Sequence, residues 1–253
     1  MTIQHESRFL LYHRASHAES FEQRYHEIIA EMQRIGPPFS LAGLTPPPMP
    51  ECPGAAAHFR FRYPSGAYLY CSIVDRTPAY QYRDQKSFDD LLCVGFNMPA
   101  VEIDYRATLF DYLPKLVKAY RAYHALSQLD MYALHYWGGL EHTNPVFNRL
   151  AADPVIDIDG RNNIFTLSPA QYWDAELCRR ALGYGPEEVI RRLDGQVPRV
   201  EPLMDGVYTV FNDDPDLTYD DFVAMNERYK RILGLTERER VLMATPLQKD
   251  SGA

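Results

Sequence analysis

The spacing of apolar residues divides the first hundred residues into one helix, a connector and three strands. Apolar residues recur at helical spacing over residues 16–35, and a Gly-Pro-Pro sequence ends that pattern. Seven prolines over residues 36–54 predict an extended, ordered connector. Aromatic and basic residues alternate over 58–63, and a Pro-Ser-Gly turn separates them from an apolar run over 67–74. This pattern predicts a β-hairpin, and residues 91–97 predict a further strand.

The middle of the chain changes between helical and strand-like patterns. Residues 104–126 have helical spacing, and we expect Pro114 to start, kink or split that helix. The sequence MYALHYWGG, residues 131–139, predicts a strand that ends at a glycine pair. The sequence SPAQYWDAELCRRALG, residues 168–183, predicts a helix with Ser168 at its N cap and a glycine after its last turn.

The last third of the chain predicts a hairpin and a closing helix. Two short apolar runs, residues 197–203 and 207–211, surround an Asp205-Gly206 turn, which is typical of a β-hairpin. Residues 217–234 carry an apolar stripe at helical spacing and end in glycine, so they predict a helix.

Helices and strands alternate here without the strict order of βαβ units, which favours an α+β fold. We therefore expect a mixed, mainly antiparallel sheet with helices packed on it. Residues 1–235 are predicted to form one domain, either as a single body or as two lobes, 1–127 and 128–235. The polar residues 236–253 are predicted to be a flexible tail.

The composition narrows the classes of partner. The chain has 34 acidic and 26 basic residues, a net charge of −8, which argues against direct binding to nucleic acid. No apolar run is long enough to span a membrane, and the N-terminal residues lack a signal-peptide pattern. The spacing of the four cysteines fits neither a metal motif nor a disulfide framework. We therefore expect a cytoplasmic protein with reduced thiols.

Common catalytic motifs are absent from the sequence. It contains no G-x-S-x-G elbow, no phosphate-binding glycine loop, no dinucleotide-binding glycine pattern and no H-E-x-x-H metal motif. We therefore expect a protein that is not an enzyme and that needs no metal or cofactor. One alternative is an unrecognised enzyme with a pocket near His135 and His142, which flank a Trp-Gly-Gly turn. A second alternative is a structural protein that associates with itself.

The negative charge is concentrated in one segment. Residues 200–227 contain eight acidic residues and no lysine or arginine, and the eight equal the net charge of the whole chain. The spacing of these acids does not fit an EF-hand calcium loop that starts at either Asp214 or Asp216. Thr218 and Asp221 instead resemble a helix capping box.

The remaining acids form either a solvated loop or a recognition surface for a basic protein, because clustered charge steers association. The partner-binding candidates are the acids and one tyrosine of this segment: Glu201, Asp205, Asp213, Asp214, Asp216, Tyr219 and Asp220.

Three blocks of sequence carry a resemblance to a known family. The blocks ELCRRALGYGPEEVIRRL and VPRVEPLMDGVYTVF, with an upstream YWGG, resemble the immunity protein 52 family over about residues 130–233. The resemblance implies a non-enzymatic antidote to a polymorphic bacterial toxin, including type VI secretion effectors. The partners of such proteins are often restriction-endonuclease-like toxin domains. The partner implied here is therefore a cognate toxin effector, which we expect to have a basic surface, and the resemblance brings no catalytic residues.

Overall fold

The structure, a computed structural model, describes residues 5–52, 55–77, 83–98, 103–129, 131–141 and 143–245. These residues contain an eight-stranded sheet in the order β2-β3-β4-β1-β5-β6-β8-β7, and every neighbouring pair is antiparallel. The predicted α+β fold is confirmed. The strands are β1 His5–His13, β2 Ala56–Arg62, β3 Tyr68–Val74, β4 Asp90–Met98, β5 His124–Leu129, β6 Ala170–Trp173, β7 Arg199–Leu203 and β8 Gly206–Val210.

The helices connect and cover these strands. Pro114 lies in the first turn of α3, directly after a π-helical turn over Thr108–Tyr112, so the predicted long helix is interrupted where proline removes a backbone donor. The helices are α1 Phe21–Arg34, α2 Tyr105–Ala107, α3 Leu113–Tyr120, α4 Tyr132–Tyr136, α5 Pro145–Ala151, α6 Ala175–Leu182, α7 Pro186–Leu193, α8 Tyr219–Leu233 and α9 Leu235–Ala244. A short 3-10 helix occupies Lys86–Phe88.

The core lies against the middle of the sheet, where β1 pairs with β4 on one side and with β5 on the other. The Phe9 ring on β1 is fully buried and lies 6.2 Å from Phe39 and 5.9 Å from Phe96. Helix α1 packs on the same sheet, with the Tyr25 ring 5.5 Å from Phe59 of β2. The N-terminal strand β1, which the pattern analysis does not predict, is thus central to the fold.

The sheet continues across the boundary between the two lobes considered above. That boundary, between residues 127 and 128, falls inside β5. Strand β5 pairs with β1 from the first part of the chain and with β6 from the second. Residues of both parts therefore share one hydrogen-bonded sheet.

Two local predictions are wrong. Residues 131–139 contain helix α4 and a glycine turn instead of a strand, because Tyr132 and Tyr136, four residues apart, both pack against Phe222 of α8. Residues 170–173 form strand β6 instead of the start of a helix. The side chain of Asp174, not Ser168, caps α6 by accepting the N–H of Leu177 at 2.7 Å. Pairing with β5 and β8 outweighs the local proline and serine signals.

The predicted tail is partly helical. Helix α9 covers the described residues up to Ala244, and residues 246–253 lie outside the described residues. Two contacts hold α9 to the body of the protein. The Lys230 ammonium lies 2.7 Å from the Glu239 carboxylate, and the Arg238 guanidinium donates to a backbone carbonyl of α6. The flexibility expected of residues 236–253 stays a prediction.

Candidate functional site

The acidic loop, residues 212–218, connects β8 to α8 and has a fixed backbone. The N–H of Asp214 donates to the Asn212 side chain at 2.8 Å, and the N–H of Asp216 donates to the Asp214 carboxylate at 2.9 Å. These are the side-chain-to-backbone bonds that asparagine and aspartate make in turns. The carboxylates of Asp214 and Asp216 remain exposed to solvent.

The next acids belong to the first turn of α8. Thr218 caps the helix, because its hydroxyl accepts the N–H of Asp221 at 3.2 Å and lies 2.6 Å from the Asp221 carboxylate. The predicted N cap at Thr218 is thus observed, and the Asp221 side chain accepts the Thr218 hydroxyl. Asp220 and Asp221 lie beside the unpaired N–H groups of the helix start, which favours negative charge there. Asp220 is exposed, whereas Asp221 is committed to the cap.

Tyr219 gives the acidic surface an aromatic component. Its ring is half-buried and lies 5.6 Å from Tyr132, 5.8 Å from His135 and 6.4 Å from Phe222. Burial raises the pKa of the Tyr219 hydroxyl. The Tyr132 hydroxyl also donates to the carbonyl of Leu217 at 2.9 Å. Helix α4 therefore supports the acidic loop from below.

Two arginines outside the acidic segment neutralise part of it. The Arg106 guanidinium lies 2.9 Å from the Asp213 carboxylate, and the Arg199 guanidinium lies 2.5 Å from the Glu201 carboxylate. Both guanidiniums also approach the Phe110 ring, at 5.3 and 5.7 Å from its centroid. A charge count along the sequence does not reveal Arg106 as a partner, because α2 is far from this segment in the chain.

Asp205 lies apart from the other candidates. It belongs to the two-residue turn between β7 and β8, because Leu203 pairs with Gly206. Its carboxylate accepts the hydroxyl of Tyr172 at 3.1 Å. The five residues of β8 separate this turn from the acidic loop by about 17 Å.

The structure thus brings five candidates together and separates two. The acidic surface consists of Asp213, Asp214, Asp216, Tyr219 and Asp220. Glu201 lies on the edge strand β7 and reaches this surface only through the Arg199 and Arg106 side chains around Phe110.

Of the two histidines in the enzyme alternative, one lies among the residues that the structure describes. His135 is exposed on α4, where its ring packs against Tyr219, and His142 lies outside the described residues. A nearby cavity of about 300 Å³ contains the buried Lys230 side chain, which sequence reasoning did not single out. Burial lowers the pKa of Lys230, and its ammonium lies 4.1 Å from the Phe165 ring centroid and pairs with Glu239. These contacts join α8 to α9.

A second group of charges missed by the sequence analysis lies at the opposite end of the sheet. Asp90 is fully buried, and its carboxylate binds the Arg76 guanidinium at 2.5 and 3.1 Å and the Arg24 guanidinium at 3.3 Å. Glu19 lies nearby and is bound by His13 at 2.9 Å and by Arg121 at 2.6 Å. The hydrogen bond with His13, followed by the other polar contacts, lowers the pKa of Glu19 to about 2. These contacts join α1 to β1, β3 and β4.

The part of the chain that the structure describes has few other features of a functional site. No group of three or more His, Cys, Asp or Glu side chains there is arranged to hold a metal ion. No helix there has both the length and the apolar character needed to cross a membrane. The four cysteines are free thiols, and burial raises the pKa of Cys93 to about 11 and that of Cys178 to about 12.

Comparison with known proteins gives a distant structural likeness. No family model matches the chain, and no curated protein matches it either. A solved structure described as Pseudomonas aeruginosa T6SS protein PA0821 aligns with a TM-score of 0.49 and 16% sequence identity. The alignment covers 90% of this chain and 76% of that chain. A likeness at this level carries no argument about function.

Proposed function

We propose that this chain is a non-enzymatic immunity protein that binds and neutralises a cognate bacterial toxin effector. The expected class of toxin is a type VI secretion nuclease, on the basis of the sequence resemblance over residues 130–233. The proposal makes the acidic surface the contact region. In this arrangement the toxin is inhibited by non-covalent occlusion, with no reaction at the interface.

One observation carries this proposal. The carboxylates of Asp214, Asp216 and Asp220 are exposed, and no basic side chain among the described residues pairs with them. Asp220 directly follows the half-buried Tyr219 in the chain, and Asp214 and Asp216 precede it in the same loop, so charge and aromatic area occur in one short segment. Clustered charge of one sign speeds association with a complementary surface, and tyrosine is enriched where binding energy is concentrated.

The chemistry of a nuclease suits such a surface. A protein that grips the phosphate backbone must present lysine and arginine to it. Carboxylates held in fixed positions can bind the same lysine and arginine side chains, but they offer the nuclease no bond to cleave. Because hydrogen bonds already order the backbone of the acidic loop, binding does not need to order it again.

Co-expression with the toxin encoded beside this chain tests the proposal. We expect the native chain to restore growth and to co-purify with the toxin. The triple variant Asp214→Lys, Asp216→Lys and Asp220→Lys should lose both effects, because like charges would then face each other. Failure of the native chain to restore growth or to form a complex would reject the antidote function for that toxin.

A matched control distinguishes the effect of charge reversal at the acidic surface from the effect of the same change in net charge elsewhere on the protein. Glu22, Glu51 and Glu237 are exposed acids on α1, the connector and α9. The variant with lysine at these three positions has the same net charge as the loop variant. It should still restore growth. If both variants behave alike, the position of the carboxylates is irrelevant and the proposed contact surface is wrong.

A further inference from the structure

Strands β1–β4 form a groove on the sheet face opposite the face that packs against α1. The groove encloses about 570 Å³. We define it, as the β1–β4 groove, by six of its lining residues: Arg8, Leu10, Arg60, Arg62, Tyr68 and Tyr70. Its volume is in the range of ligand sites, and its lining combines apolar, aromatic and basic side chains.

One wall consists of two arginine–tyrosine pairs. Arg60 lies opposite Tyr70 and Arg62 lies opposite Tyr68 across the β2–β3 ladder. The Arg60 guanidinium is 5.4 Å from the centroid of the Tyr70 ring. Because side chains two residues apart on a strand point to the same face, the two arginines project side by side, with α-carbons about 6.8 Å apart.

The floor is flat because a glycine leaves room for a tyrosine ring. Tyr68 pairs with Gly95 of β4, and a Cβ atom at Gly95 would lie 2.3 Å from the Tyr68 ring. The ring therefore lies across the sheet, where its hydroxyl donates to the Glu6 carboxylate at 2.9 Å. Beside it, Leu10 pairs with Cys93 and supplies the apolar part of the floor.

The charges of the groove are unevenly balanced. Arg8 forms an ion pair with Glu6 on the far wall. Arg60 and Arg62 are exposed, and no carboxylate among the described residues pairs with either of them. In a chain whose net charge is −8, two adjacent unneutralised arginines form a local positive site.

We propose that the β1–β4 groove binds an extended, acidic segment of a partner protein. Alternate side chains of an extended peptide repeat at about 6.8 Å, which matches the spacing of Arg60 and Arg62. Two carboxylates in that register meet the two guanidiniums. Arginine binds carboxylates through two parallel hydrogen bonds, and arginine and tyrosine are both enriched where binding energy is concentrated.

Single-stranded nucleic acid is the competing occupant, and one observation disfavours it. The Tyr70 ring is already stacked on His58 at 5.7 Å and lies under Arg60, so it is not free to stack on a base. The inference is independent of the proposed function, because the acidic surface is complementary to a basic partner, whereas this groove is complementary to an acidic one.

Peptide binding to the full chain, followed by fluorescence anisotropy, tests the inference. The probe is a labelled ten-residue peptide with Glu at two successive alternate positions and Ser or Thr elsewhere. The comparison peptide has Gln in place of Glu. We expect the glutamate peptide to bind at least tenfold more tightly than the glutamine peptide. The variant Arg60→Gln with Arg62→Gln should lose about tenfold in affinity for the glutamate peptide, which corresponds to about 1.4 kcal/mol.

The matched control removes two exposed arginines elsewhere. Arg191 on α7 and Arg231 on α8 have side chains that are 72% and 70% exposed. The variant Arg191→Gln with Arg231→Gln should bind the glutamate peptide as the native chain does. Equal binding of the two peptides, equal effects of the two variants, or no binding at millimolar peptide would overturn the inference. Tighter binding of a ten-nucleotide oligouridylate that depends on Arg60 and Arg62 would also overturn it.

Discussion

The Arg106 guanidinium on α2 lies 2.9 Å from the Asp213 carboxylate in the loop before α8. This ion pair divides the acidic segment into two parts. The carboxylate nearest the body of the protein is neutralised, whereas Asp214, Asp216 and Asp220 have no basic partner among the described residues. The proposed contact surface therefore has one end attached to α2 and a free end that faces solvent.

The free carboxylates should set the salt dependence of toxin binding. We expect the variant Asp214→Asn, Asp216→Asn and Asp220→Asn to bind the cognate toxin more weakly, mainly through slower association. Removing three charges reduces the long-range attraction, which salt screens over about 10 Å at 0.1 M. Titration calorimetry and stopped-flow kinetics at low and high salt measure this effect. The same dependence on salt in the native chain and the variant would contradict the prediction.

Removal of the Asp90 carboxylate should destabilise the fold strongly. Asp90, Arg76 and Arg24 have side chains that are 0%, 2% and 1% exposed, so loss of the acid removes the nearest carboxylate from two buried cations. We expect Asp90→Ala to lower the free energy of unfolding by about 3–5 kcal/mol. Urea denaturation measures this change. As a control, Arg34→Ala removes a pair whose arginine is 70% exposed and should cost less than about 1 kcal/mol.

Glu19 should contribute to the loss of stability in acid. Its pKa falls from an ordinary value of 4.5 to about 2, mainly through the hydrogen bond with His13. A depressed carboxyl pKa stabilises the folded state above the unfolded pKa, and this stabilisation disappears as the pH falls through the folded pKa. The native chain should therefore lose stability between about pH 4.5 and 2, and Glu19→Gln should reduce that loss. Thermal unfolding across this range, with the exposed Glu22→Gln as control, measures the difference.

Gly206 should not tolerate a side chain. At the start of β8 a Cβ atom would lie 2.1 Å from the carbonyl oxygen of Trp173 and 2.7 Å from the α-carbon of Asp174. Both are backbone atoms, one at the end of the neighbouring strand β6 and one in the residue that follows it, so they cannot rotate away. We expect Gly206→Ala to cost about 1–3 kcal/mol of unfolding free energy, the range for overpacked sites. At Gly185 the nearest atom is the flexible Glu187 side chain, so Gly185→Ala should cost less in the same denaturation experiment.

Local patterns predict several elements well. The apolar stripe and terminal glycine of α8, the Thr218–Asp221 cap and the β7–β8 hairpin all depend on residues close together in the chain. The hairpin turn itself is shifted by one residue, to Met204 and Asp205, because Leu203 pairs with Gly206. Such features can be read from sequence because their hydrogen bonds close over a few residues.

The errors occur where distant partners decide the local structure. Ser168 and Pro169 are typical of a helix start. The residues that follow them, 170–173, nevertheless form a strand because β5 and β8 supply hydrogen bonds on both sides. Residues 131–139, for which a strand is predicted, contain a helix because two tyrosines pack against α8. In both places contacts from another part of the chain outweigh local preference.

For the candidate surfaces, the sequence by itself determined the excess of aspartate between β8 and α8 and the alternation of arginine with aromatic residues in β2. Only the tertiary structure decided which of these charges remain without partners. In the folded chain Arg106 lies beside Asp213, and Asp205 lies at the far end of β8 from the acidic loop. Arg60 and Arg62 lie together on an open sheet face. The reason is that ion pairing depends on distance in space, and the sheet order and helix packing set that distance.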